Sequence, residues 1–335
     1  MFYNKKKVLI IGGAGYIGSH VNKLLHARGY ETYVLDNLST GRREFVKWGE
    51  FIEGDISDEY LLKRIFATHS FSVVLHFASF TDVFETKRDA HLYYEKNIAD
   101  TLLLLNTMKS YNCPNLVFSM YSDLNLFSNK DHLPKNKEIE TLRILEESKL
   151  VIEQILKDFD KTHQIKHLLV KYANAAGADP ELDIGEWHTP ETNLITMIID
   201  AVYYCNKPII RIENKKLLKP LCYYEDYIHI LDLAEAHLSA LERLKTTNYS
   251  GCINLKNNQP FSIPEILETI NSVCGKNIDL TILEKIYSIY DWESTNSRKM
   301  NNLINWIPQN SSIKNIIQTA WNWRLIRDKR HFNVG

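Results

Sequence analysis

The chain has 335 residues, 44% hydrophobic and 24% charged, with a formal net charge of −1 at pH 7. That length allows a large core in one or two domains, and the composition is that of an ordinary globular protein. The near-neutral charge argues against nucleic acid as the main partner, because phosphate binding usually needs a basic surface. No apolar run approaches the roughly 18 residues that would cross a membrane. The cysteines at 113, 205, 222, 252 and 274 form no CxxC pair, which suits a reducing cytoplasm better than a disulfide framework or a zinc site. No metal site is expected.

The opening MFYNKKKVLIIGG imitates a signal peptide, but Gly12 and Gly13 cut the apolar run short and no cleavage site follows. A buried strand at KVLII is the better reading. Further strands are predicted at residues 32–36, 51–55, 72–78, 115–120 and 167–174, with helices near 16–28, 58–68, 89–111 and 138–161. Such alternation predicts an α/β fold, a Rossmann-type doubly wound parallel sheet. Beyond residue 175 a loop rich in Gly, Pro and Asp leads into mixed helices and short strands. Residues 1–175 are therefore expected to form a dinucleotide-binding domain. Residues 176–335 would form a smaller substrate lobe, some segments of which return to the first. The basic stretch RLIRDKRHF, residues 324–332, reads as a solvated end.

VLIIGGAGYIGSH places Gly12, Gly15 and Gly18 between a strand and a helix. Glycines there let the backbone turn tightly and approach a pyrophosphate, which the helix N-terminus stabilises. Asp36 ends the next strand and can accept hydrogen bonds from an adenosine ribose, which favours NAD over NADP.

GGAGYIGSH, LDNLSTG, FIEGDI, LHFAS, NAAGADP, IGEWHTPETNLI, DYIHILDLAEAH and AWNW together resemble the extended short-chain dehydrogenase/reductases, specifically the UDP-glucose 4-epimerase family. The likeness runs from about residue 6 to 325. It implies an NAD site lined by Tyr16, Ile17, Asp36, Asn37, Asp55, Ile56, Phe77, Ala78, Asn97, Ser119, Lys149 and Tyr172, with Asn174 and Asn193 on the substrate side. It also implies a homodimer formed through helices of the first lobe, including the one near 89–111. In that family hydride leaves C4 of a nucleotide sugar, the 4-keto intermediate turns over, and hydride returns to the opposite face. A YxxxK tyrosine takes the hydroxyl proton while its lysine binds the nicotinamide ribose and lowers the tyrosine's pKa.

Lys149 matches the lysine of that motif, but Leu145 stands at the tyrosine position. On a helical wheel Leu142, Leu145, Ile152 and Leu156 share a stripe with Lys149, while Glu146, Glu147, Gln154 and Lys157 fall on the other side. The YxxxK spacing of Tyr203 and Lys207 lies in the wrong part of the chain. Tyr121 replaces a serine that holds the sugar hydroxyl, and Glu225 replaces an arginine that grips the diphosphate. Residues 285–288 read KIYS where an R-x-G-D phosphate clamp is usual; Phe84 replaces a glycine, and Thr81 stands where lysine is common. Loss of a general base costs about 10²–10⁴ in rate, and a glutamate facing a diphosphate adds repulsion. Ordinary UDP-glucose epimerisation is thus expected to be impaired or absent. Two readings stand: a diverged epimerase or oxidoreductase whose base is Tyr121 or Ser122, or a catalytically silent NAD-loaded scaffold.

Overall fold

The computed structural model describes residues 7–79, 91–121, 137–172, 174–189, 191, 193–204, 209–212, 224–257, 259–276, 281–284 and 303–330. The first strands are β1 (Lys7–Ile11), β2 (Glu31–Asp36), β3 (Glu50–Glu53), β4 (Val73–His76), β5 (Asn115–Tyr121) and β6 (Lys166–Tyr172). After them come β7 (Asn174–Ala176), β8 (Ile209–Ile212), β9 (Tyr224–Glu225), β10 (Tyr227–His229), β11 (Gly251–Asn254), β12 (Phe261–Ser262) and β13 (Thr281–Glu284). Seven of these form one parallel sheet in the order β11-β6-β5-β4-β1-β2-β3, and the other six pair off as β10–β7, β12–β9 and β13–β8. The expected doubly wound sheet is what the chain forms.

Alternation along each strand builds both faces of the sheet. Val8, Ile10, Val34, Val73, Leu75, Val117 and Leu168 pack with Val21 and Leu25 of α1 (Tyr16–Ala27), and beyond them with the apolar stripe of a later helix, Ile230–Thr246. Leu9, Ile11, Leu35, Val74, Leu116 and Leu169 face the opposite way. They meet α2 (Glu59–Thr68), α3 (Asp100–Ser110) and α4 (Lys137–His163). A third cluster holds α5 (Leu194–Tyr203), α7 (Ile263–Cys274) and α8 (Ile313–Arg330) together, the helix between them, Ile230–Thr246, being α6. Ser262 and Glu265 close a capping box on α7, and Gly275 ends it at φ +66°.

Two expectations need correction. The single helix expected over 89–111 begins instead, within the described residues, as a helical turn at His91–Tyr93 and a π-helical stretch at Tyr94–Ala99 before α3. The basic stretch from 324 is not a solvated end either. Arg324 is 1% exposed, its guanidinium 3.8 Å from the Tyr203 ring centroid and 4.6 Å from that of Tyr204. It pairs with Asp200 of α5 and with Asp328, and Arg327 also reaches Asp200. Stacking on aromatic faces and pairing with carboxylates let a guanidinium be buried where a lone cation could not be. Tyr203 is thereby committed to packing.

Candidate active site

β1 is flanked by β2 and β4, so the order of winding reverses there. Ligands of open α/β sheets sit outside the strands' carboxyl ends at such a point. Gly12 follows β1 at φ +77°, and a Cβ on it would lie 2.5 Å from the Ala78 nitrogen. A Cβ on Gly18 would lie 2.3 Å from the Gly12 carbonyl. Only glycine fits either position. Gly15 caps α1 without a side-chain hydrogen bond, and the first turn of that helix carries no acid. The first turn of α1 therefore offers the positive end of its dipole to an anion.

Asp36 ends β2 with 8% exposure; its carboxylate accepts from the Ala14 amide at 2.9 Å and the Leu38 amide at 2.9 Å. Burial pushes its pKa up, against those two bonds. Asn37 donates to Asp55 at 2.6 Å, and Ser57 donates to the other Asp55 oxygen. Burial raises the Asp55 pKa, but the hydrogen bonds from Ser57 and Asn37 outweigh it and the pKa falls. Ile56, next in the chain, is buried against the β2–β4 side of the core. These residues fit an adenosine half whose ribose hydroxyls donate to a carboxylate, and they disfavour a 2′-phosphate.

Beyond Ala78 a small pocket is lined by Ala78, Asn97, Thr101, Ser119, Met120 and Lys149. Asn97 lies in the π-helical stretch, and Thr101 bonds its carbonyl at 2.6 Å. Ser119 and Tyr172 share a hydrogen bond of 3.1 Å, and burial pushes the Tyr172 hydroxyl up to about 12 although that bond lowers it. Phe77 packs on His237 with ring centroids 5.0 Å apart. Tyr16 and Ile17 open α1: Ile17 packs into the core, and the Tyr16 hydroxyl donates to the Gly177 carbonyl at 2.7 Å. Thr101 and Met120 were missed from sequence, although Thr101 stands one helical turn after Asn97.

Lys149 is 6% exposed and shares its helix stripe with the buried Leu145, Ile152 and Leu156. Its ammonium meets the Glu146 carboxylate at 2.5 Å and lies 5.2 Å from the Tyr121 ring centroid. The wheel placed Glu146 on the far side, which the structure corrects: at i and i+3 two long side chains bend toward one another. Leu145 is 4% exposed, and its carbonyl accepts from Ser148 at 2.6 Å. Tyr121 ends β5 beside Tyr172 and is 39% exposed. Ser122, Thr81, Phe84 and residues 285–288 lie outside the described residues.

On the substrate side Asn174 donates to Glu225 at 2.8 Å. Asn193 caps α5 through the Ile195 amide and donates to the Ala175 carbonyl at 2.9 Å. His188, Glu186 and Glu191 cluster beside Tyr16. The bond to Glu186 raises the His188 pKa against its burial.

A glycine turn on a parallel sheet, an acid ending β2 and a lysine at the pocket define a nicotinamide-dinucleotide protein of the short-chain dehydrogenase/reductase type. Residues 8–255 match the model of the NAD dependent epimerase/dehydratase family. The chain is 34% identical to a UDP-glucose 4-epimerase of Rhizobium leguminosarum bv. trifolii, covering 94% of this chain and 96% of the relative. It is also 34% identical to one of Rhizobium meliloti, covering 96% and 98%. A crystal structure of a UDP-glucose 4-epimerase superposes with TM-score 0.83 at 30% identity over 96% of this chain and 98% of that one. The Brucella ovis UDP-glucose 4-epimerase in complex with NAD gives 0.79 at 30% identity over 95% and 98%. The chain belongs to the NAD-dependent epimerase/dehydratase family, among its UDP-glucose 4-epimerase-like members, and its cofactor is NAD.

Proposed function

We propose that this protein holds NAD in the family manner but does not interconvert UDP-glucose and UDP-galactose at the rate of a working epimerase. The observation that carries the reading is Leu145, a buried hydrocarbon one helical turn before Lys149. A side chain without an exchangeable proton cannot take one from a sugar hydroxyl. Glu225, already bonded to Asn174, adds a negative charge where the family places an arginine, and a diphosphate would be repelled there.

NAD would supply the hydride acceptor and donor. Gly12, Gly15 and Gly18 would let the backbone approach its pyrophosphate, Asp36 would take the adenosine ribose, and Asn37 and Asp55 would face the adenine side. Tyr16, Ile17, Ile56, Phe77, Ala78, Asn97, Ser119 and Tyr172 would line the rest, and Lys149 would donate to the nicotinamide ribose. Residues 1–175 would carry this site and 176–335 the smaller substrate lobe, with Asn174 and Asn193 on the substrate side. A nucleotide sugar remains the substrate class the family supports, with a homodimer as the assembly and the cytoplasm as the location. No helix among the described residues is long and apolar enough to cross a membrane.

A redirected oxidoreductase is the second reading, favoured by one contact: the Lys149 ammonium over the Tyr121 ring. A phenol there could serve as base. The test is cofactor binding followed by a substrate screen. NAD should bind at least tenfold tighter than NADP, and equal affinity would overturn the assignment. In the screen, Tyr121→Phe should abolish any reduction of bound NAD if the second reading holds.

A further inference from the structure

We infer that Glu146 is a positioning residue that neutralises Lys149 and thereby removes a bias of the site toward the reduced, uncharged form of the nicotinamide. The inference rests on the proposed role of Lys149 at the nicotinamide ribose. Three observations carry it. Lys149 lines a small pocket with Asn97 and Ser119, residues that the proposed function gives to the cofactor. Its side chain is 7% exposed, and the Glu146 side chain only 18%. Their charged groups meet at 2.5 Å on consecutive turns of one helix.

A buried ammonium needs a counter-charge or heavy hydrogen bonding, and no phenol stands at Leu145 to share its field. Glu146 supplies that charge from one residue further along the helix. An ammonium has three donors, so holding Glu146 does not by itself exhaust it. The electrostatic consequence concerns the ring beyond the ribose. Oxidised nicotinamide carries a positive charge and the reduced ring carries none. A bare lysine cation beside it favours the reduced form, whereas a lysine–glutamate pair, neutral in sum, removes that bias. A unit charge acting over about 10 Å at an effective dielectric near 20 changes an affinity by roughly tenfold.

The experiment is a titration of the full-length protein with NAD⁺, NADH and ADP-ribose by calorimetry, repeated with Glu146→Gln. Glutamine can still accept from Lys149, so this variant removes the charge and keeps a hydrogen bond. The ratio of NAD⁺ to NADH affinity should fall about tenfold in Glu146→Gln. ADP-ribose, which lacks the nicotinamide, reports whether each variant still binds the rest of the dinucleotide. Lys149→Met should move the ratio the other way. Should Glu146→Gln not fold, Glu146→Ala, which favours the helix more, carries the same comparison. An unchanged ratio in a variant that still binds ADP-ribose overturns the inference alone. Failure of the unaltered protein to bind either nicotinamide form overturns the underlying reading and this inference with it.

Discussion

Asn174 and Glu225 are joined by a hydrogen bond of 2.8 Å, from the Asn174 amide to Glu225 Oε2. β7 and β9 thus bring an amide and a carboxylate together. In the function proposed above, Glu225 would set a negative charge where a diphosphate needs a positive one. Glu225→Arg should therefore raise affinity for UDP, because it removes repulsion and adds a fork suited to phosphate oxygens. We expect at least a tenfold gain by calorimetry with NAD present. Unchanged UDP binding in a folded variant would show that Glu225 does not face the nucleotide.

Acid stability should be governed by buried histidines. Burial lowers His20 to about 3 and His76, His229 and His237 each to about 4. Their folded pKa lies below the ordinary value of 6.5, so the folded state resists the proton that the unfolded chain accepts. Stability is complete above 6.5 and is lost as the pH falls from there toward 4. Each histidine adds at most about 1.4 kcal/mol per pH unit to the slope. Scanning calorimetry from pH 8 to 4 should show Tm level above 6.5 and falling steeply below it. A level Tm down to pH 5 would contradict the burial of these rings as neutral groups.

Asp100 works in the opposite sense. Burial raises it to about 6, with the charges of Asp55 and Glu95 adding to the rise and Lys96 opposing it. A carboxyl raised in the folded state stabilises below its unfolded pKa near 4 and costs stability as the pH climbs through 6. Asp100→Asn should then gain on the order of 1 kcal/mol at pH 7 and little or nothing at pH 4. Denaturant melts at the two pH values read the difference directly. A variant less stable at pH 7 would mean that the Asp100 charge is used in the fold.

Much of this was legible from sequence because period-2 strands and glycine spacing are local signals. KVLII, VLDN and the GxxGxxG turn each announced an element and its end, and Asp36 followed from them. What escaped is what depends on side chains bending or on distant packing. A helical wheel treats Glu146 as a direction, yet its side chain is long enough to reach Lys149 one turn on. Nothing local shows that Arg324 lies between Tyr203 and Tyr204, since those residues are more than a hundred positions away. The π-helical stretch at Tyr94–Ala99 reads like any α-helix, because an extra residue in one turn leaves the apolar spacing nearly intact.

Whether this family scaffold with its NAD site has lost ordinary epimerisation is read by one assay. The purified protein, loaded with NAD, is incubated with UDP-glucose, and UDP-galactose is measured over time. Loss of the base predicts a rate about 10²–10⁴ below that of a working enzyme, and lower still with Glu225 facing the diphosphate. Turnover within the ordinary enzymatic range, on the order of 1–10³ s⁻¹, would contradict the account.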